Sequence, residues 1–230
     1  MNNLALVLVE AFSAILCFVL LRFMIKPYRT TGEGRYLGLP LGFGLLGISY
    51  ILMGTSLYFE SFLFANDIKW FQLFTQSYAF AFLAATYYFS KKPTKNTRLW
   101  WNITYAALFL AIAVSYLIVV VPPQFELPSY KTADQYLSLF NIIFLAYIFI
   151  HTLRSHVSNP NPKTIWIPFA YLLLGFSQYS LLIWSIDSSF SAYIGAYFLR
   201  LASLLIFFFV TYRTFYVSLE KGVPDEKTPS

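Results

Sequence analysis

Leu4–Ile25 reads LALVLVEAFSAILCFVLLRFMI, and Glu10 and Arg22 are its only charges. A hydrocarbon core of about 30 Å is crossed by about 20 apolar residues of helix. The stretch therefore predicts a membrane-spanning helix. No cation precedes the apolar run, and the small residues Ala11, Ser13 and Ala14 fall in its middle rather than after it. A retained helix is expected, not a cleaved signal peptide.

Six further runs share this character: 37–58, 68–89, 99–121, 133–152, 165–186 and 189–211. The 133–152 run is the least uniform, because Asp134 and Gln135 stand at its start. Between the runs lie turn-forming connectors such as TTGEG, KKPTKN, VPPQFELP, SNPNPK and IDSS. Lipid offers the backbone no hydrogen-bond partners, so helices are expected. The runs are too long and too evenly apolar for barrel strands. The expectation is an all-α bundle of seven transmembrane helices over residues 1–215, followed by a short cytoplasmic tail at 216–230.

Composition agrees. Of 230 residues, 58% are hydrophobic, 21% aromatic and only 11% charged, against roughly 25% charged in soluble domains. One soluble core of this length could not hide that much apolar surface. A disordered tail, a disulfide scaffold and a nucleic-acid binder are set aside. Cys17 is the lone cysteine, which excludes an internal disulfide.

Charge placement predicts an orientation. Arg22, Lys26, Arg29 and Arg35 flank the first connector. Lys91, Lys92, Lys95 and Arg98 flank the third, Arg154 and Lys163 the fifth, and Arg213, Lys221 and Lys227 follow the last span. The alternate connectors hold only Lys69 and Lys131, beside Glu60, Asp67, Glu126, Asp134 and Asp187. The positive-inside rule puts the N-terminus outside and the C-terminus in the cytoplasm of a cell-membrane protein. Trp70, Trp100, Trp101, Trp166 and Trp184 lie near predicted helix ends, as membrane-interface anchors do.

An internal repeat is legible. PLGFGLLGISYIL from Pro40 aligns with PFAYLLLGFSQYSLL from Pro168, so Leu46 meets Leu174, Gly47 meets Gly175 and Ser49 meets Ser177. FTQSYAFAFLAATYY from Phe74 aligns more weakly with FLRLASLLIFFFVTY from Phe198, which sets Gln76 opposite Arg200. The reading is a duplication of three helices about a connecting fourth, a 3+1+3 plan. Gly38 and Gly42 have the small-residue spacing that lets helices touch, either within the bundle or in a dimer.

Ionisable residues inside spans are costly and face the protein interior. Glu10 and Arg200 are two such residues, at depths that an arginine side chain can bridge. Either they pair, or Glu10 is protonated and Arg200 reaches tyrosine hydroxyls or Gln76. Helical spacing adds Tyr193, Tyr197 and Ser203 beside Arg200. It sets Gln72 and Thr75 beside Gln76, Tyr171 and Gly175 beside Gln178, and Ser13 and Cys17 beside Glu10. The candidate site is therefore Glu10, Gln72, Gln76, Gln178, Tyr197 and Arg200. Two uses are open: a small-ligand pocket in the outer half of the bundle, or interhelical hydrogen bonds that hold the helices together.

No metal, catalytic or cofactor motif is visible, and His151 and His156 stand too near the predicted cytoplasmic edge to suggest a metal site. No cofactor and no enzymatic activity are expected. Seven helices invite comparison with microbial rhodopsins, but the last span has no lysine for a retinal Schiff base. The 3+1+3 plan is that of SWEET-type sugar transporters, but Pro40 and Pro168 belong to different helices from the ones expected there.

LLRFMIKPYRT, LGISYILMG and IKWFQLFTQSYAFAFLAATYYFSKK, in the first three spans, resemble the seven-helix sensor regions of prokaryotic histidine kinases and related signalling proteins. These families similarly put a cationic end on the first helix and run an aromatic third helix into a basic loop. After Arg213 only TFYVSLEKGVPDEKTPS follows here, with no output domain. The resemblance implies a sensor-like or adaptor protein that signals through a separate membrane or cytoplasmic partner. The alternatives are a small-solute transporter and a structural subunit of a membrane complex. The lipid bilayer is an expected partner; nucleic acid is not.

Overall fold

A computed structural model describes residues 3–32, 34–59, 65–89, 95–121, 128–158, 160 and 165–215. Among these residues the chain is all-helical. α1 (Asn3–Met24) is followed by the short α2 (Lys26–Thr31), then by α3 (Gly38–Tyr58), α4 (Ala65–Tyr88), α5 (Lys95–Val120), α6 (Tyr130–Ser158), α7 (Trp166–Asp187) and α8 (Phe190–Phe215). The tail at 216–230 lies outside the described residues, as do Glu60, Lys91, Lys92, Glu126, Lys163, Lys221 and Lys227.

Six of the helices, α1, α3, α5, α6, α7 and α8, are long and apolar enough to cross a membrane. The chain is therefore a helical bundle of multi-pass membrane character. α4, which covers the expected 68–89 span, is long enough but not apolar enough. Its Gln72, Thr75, Gln76, Ser77 and Thr86 are all buried against other helices. A helix wrapped by protein does not need a lipid-compatible surface on every face. α6 exceeds its expected 133–152 span at both ends, and α8 runs on past Thr211 to Phe215.

Two chain reversals have clear local causes. Pro27 lies in the first turn of α2, where its missing N–H costs little. Gly32 then takes a left-handed φ of 66° and donates its N–H to Tyr28 O at 2.8 Å, ending α2. α7 ends at Ser188, also left-handed, whose N–H bonds Trp184 O at 2.8 Å, and α8 starts two residues later.

The packing forms a closed ring. α1 packs on α3, α3 on α4, α4 on α6, α6 on α7, α7 on α8, and α8 back on α1. α5 stands outside the ring and packs on α4. Hydroxyl contacts fasten it there: Thr75 to Tyr116, Tyr78 to Ser115 at 2.8 Å, and Thr86 to Tyr105 at 3.1 Å. Aromatic rings fill one level of the ring interior. Phe207 of α8 meets Phe43 of α3 edge-on at 5.3 Å and Tyr171 of α7 at 4.6 Å, and Tyr171 meets Tyr87 of α4 at 5.5 Å. Polar side chains fill another level.

The glycines of α3 serve packing inside the bundle. A Cβ on Gly38 would run into Thr86 and Tyr105, and one on Gly42 would come within 2.5 Å of Leu83 Cδ2. Both surfaces are occupied by α4 and α5. One expected anchor is reassigned: Trp101 is buried between Phe89 and Tyr105, at 5.5 and 4.2 Å. Its neighbour Trp100 is exposed, as an interfacial tryptophan is.

Candidate functional site

The ring closes where α1 meets α8, and there Arg200 Nη2 lies 2.9 Å from Glu10 Oε1. Both residues are buried, at 5% and 1% exposure. The carboxylate and the guanidinium are thus in ion-pair contact where α1 meets α8. Two tyrosine rings flank the guanidinium, Tyr50 of α3 at 4.4 Å and Tyr197 of α8 at 4.6 Å. Stacked on π faces out of water, the cation gains about 2 kcal/mol or more from such contacts. Tyr197 shares a 2.8 Å hydroxyl contact with Tyr193, whose ring packs on Trp184 at 4.7 Å. α3 also passes close to Glu10: a Cβ built on Gly54 would stand in ordinary van der Waals contact with Glu10 Cβ, at 3.4 Å.

The pair is tightly enclosed, yet incompletely satisfied. Glu10 Oε2, Arg200 Nε and the Tyr50 hydroxyl are buried without a hydrogen-bond partner. A buried polar group left unpaired costs about 1–3 kcal/mol, and more when it is charged. Such a site is held by the surrounding packing and gains from any group that supplies the absent bonds.

The amides form separate pairs. Gln72 Nε2 donates to Gln76 Oε1 at 2.8 Å, one turn apart on α4. Asn141 Nδ2 of α6 donates to Gln178 Oε1 of α7 at 3.4 Å. Gln178 Nε2 and Asn141 Oδ1 remain buried and unpartnered.

Of the expected site residues, Glu10, Tyr197 and Arg200 are brought into one cluster. Gln72 and Gln76 pair with each other, and Gln178 pairs with Asn141. Thr75 departs from the expected inward set and turns to Tyr116 of α5. Ser13 donates back to Val9 O within its own helix at 2.8 Å, and Ser203 donates to Ala170 O of α7 at 2.7 Å. Sequence reasoning missed Tyr50 and Asn141. Asn141 follows Ser138 by three residues and precedes Leu145 by four, a helical face that could have been read. Tyr50 stands at the repeat position of Gln178, one residue past the aligned serines.

Among the described residues, no three His, Cys, Asp or Glu side chains gather as metal ligands would. In comparison with known proteins the chain matches no family model, no curated protein and no solved structure.

Proposed function

We propose that this chain is a seven-span protein of the cell membrane, without enzymatic activity, that acts as a sensor or adaptor and signals through a separate partner. The observation that carries the reading is the Glu10–Arg200 pair, which ties the first long helix to the last and leaves buried polar atoms unpaired. On this reading the enclosed pair at the helix seam is an element with two arrangements, closed on itself or opened onto a ligand. A ligand with a small polar or aromatic group would complete the hydrogen bonds and shift α1 against α8. The likeness of the first three spans to histidine-kinase sensor regions adds to this reading. The orientation, N-terminus outside, rests on the alternation of basic connectors.

The test uses the full chain in mild detergent. Small polar and aromatic compounds are screened by thermal shift, then repeated on Arg200→Gln. The reading expects at least one compound that raises Tm in the wild type and not in the variant. A purified chain that instead drives solute uptake in proteoliposomes would overturn it.

A second reading, a small-solute transporter of 3+1+3 plan, is favoured by one specific observation. The two halves, α1–α3–α4 and α6–α7–α8, have the same neighbours within the ring, and they meet at two seams of like kind, α4 with α6 and α8 with α1. Burial agrees at six aligned positions of α3 and α7. Pro40, Gly42, Phe43, Leu46, Ser49 and Tyr50 are buried in α3, and so are Pro168, Ala170, Tyr171, Leu174, Ser177 and Gln178 in α7. The same residue offset carries Glu10, Ser13, Cys17 and Leu20 of α1 onto Ser138, Asn141, Leu145 and Ile148 of α6, all buried. The facing residues repeat too: a Cβ built on Gly47 would stand 3.3 Å from Cys17 Cβ, and one on Gly175 would stand 3.8 Å from Leu145 Cβ. Two-fold related halves with polar groups at their seams are the frame on which alternating access works.

A further inference from the structure

If the halves are equivalent, the ion-pair seam has a counterpart across the ring. Glu10, Tyr50 and Arg200 correspond to Ser138, Gln178 and Gln76, and Ser13 corresponds to Asn141. All of these are buried. The depth agrees independently. Trp70 of α4 packs on Tyr130 of α6 at 5.5 Å, and Tyr87 of α4 packs on His151 of α6 at 5.9 Å, so the two helices run in the same direction. Gln76 and Ser138 both fall between these contacts, nearer the first. One seam is thus charged, while the other is built of amides and a hydroxyl.

The charged seam supplies its own counter-ion. The amide seam does not complete itself: Asn141 Oδ1 and Gln178 Nε2 are unpartnered in side chains that are each 1% exposed. Exchanging O and N in both amides moves the open positions to Asn141 Nδ2 and Gln178 Oε1. Either way, one donor and one acceptor stay open. A carboxylate offers only acceptors and an ammonium only donors, whereas a hydroxyl offers both. Unpaired charge is also costly in a seam with no ionised partner.

We propose that Asn141 of α6 and Gln178 of α7 bind a small uncharged hydroxyl group between them, carried by a neutral polyol or by an ordered water. The site depends on the equivalence of the halves but not on the sensor reading or on the ion pair.

The experiment has three arms on the full chain in detergent. First, glycerol, erythritol and glucose are titrated at low millimolar concentration, where general exclusion effects are slight, alongside acetate and ethylammonium. Tm is read for wild type, Gln178→Leu and Glu10→Gln, with Gln178→Met as substitute if the leucine variant does not fold. A saturable rise with a polyol, kept in Glu10→Gln and lost at position 178, supports a solute site. Second, if no polyol acts, a structure that resolves ordered water is inspected between Asn141 and Gln178, and a bridging water there supports the water form. No polyol response and no water overturns the proposal. So does a response to acetate, or one that persists in the position-178 variant. Third, the ion pair is transplanted as Ser138→Glu with Gln76→Arg. Equivalent halves predict that the double variant is more stable than either single one. Additive losses would locate the failure in the equivalence and overturn the proposal with it.

Discussion

Arg200 of α8 reaches past its partner Glu10 on α1 and lays its guanidinium on the ring of Tyr50, 4.4 Å away on α3. One side chain thereby joins the last long helix to the first two. Its removal strands a buried carboxylate, and removal of Glu10 strands a buried cation. Each of Glu10→Leu and Arg200→Met is expected to lose about 3–5 kcal/mol, while the double variant that combines them recovers most of the loss. Equilibrium unfolding in mixed micelles measures the cycle. Strictly additive losses would contradict the pairing.

Two glycines, Gly42 of α3 and Gly195 of α8, give a contrast. A Cβ on Gly42 would stand 2.5 Å from Leu83 Cδ2 and 3.2 Å from the Ala79 carbonyl, whereas nothing lies within 4 Å of a Cβ at Gly195. Gly42→Val is expected to cost about 1–3 kcal/mol by overpacking. Gly195→Ala should stay within about 0.5 kcal/mol of wild type. If Gly42 instead served dimerisation, Gly42→Val would change oligomeric mass while leaving monomer stability intact.

The adjacent tryptophans of α5 should differ as sharply. Trp101→Ala removes a ring packed between Phe89 and Tyr105 and is expected to cost about 3–5 kcal/mol. Trp100 is 60% exposed, so Trp100→Ala should change Tm little. Loss of α5 packing would be read from the tryptophan emission of the full chain, and equal losses at both positions would contradict the assignment.

The long helices were legible because hydrophobic runs of membrane length are a strong signal. Among the described residues six are long and apolar enough to cross a membrane. Most ends fall within a few residues of the apolar limits, α6 overrunning its limit most. Trp101 and α4 were less legible, for one physical reason. Composition records whether a residue tolerates an apolar setting, not whether lipid or protein supplies it. The Glu10–Arg200 pair could be anticipated because buried charge inside lipid demands a partner. Tyr50 and Asn141 could not be singled out in the same way. A tyrosine or an asparagine in a span has several inexpensive uses, and only the neighbouring helices decide which one applies.

The central claim is that the chain crosses the membrane an odd number of times, with its two ends in different compartments. The direct measurement is cysteine labelling in intact cells. In a Cys17→Ser background, Asn2→Cys and Thr228→Cys are each exposed to an impermeant maleimide. Labelling of Asn2→Cys in intact cells, and of Thr228→Cys only after permeabilisation, is the predicted result. Labelling of both under the same condition would contradict the account.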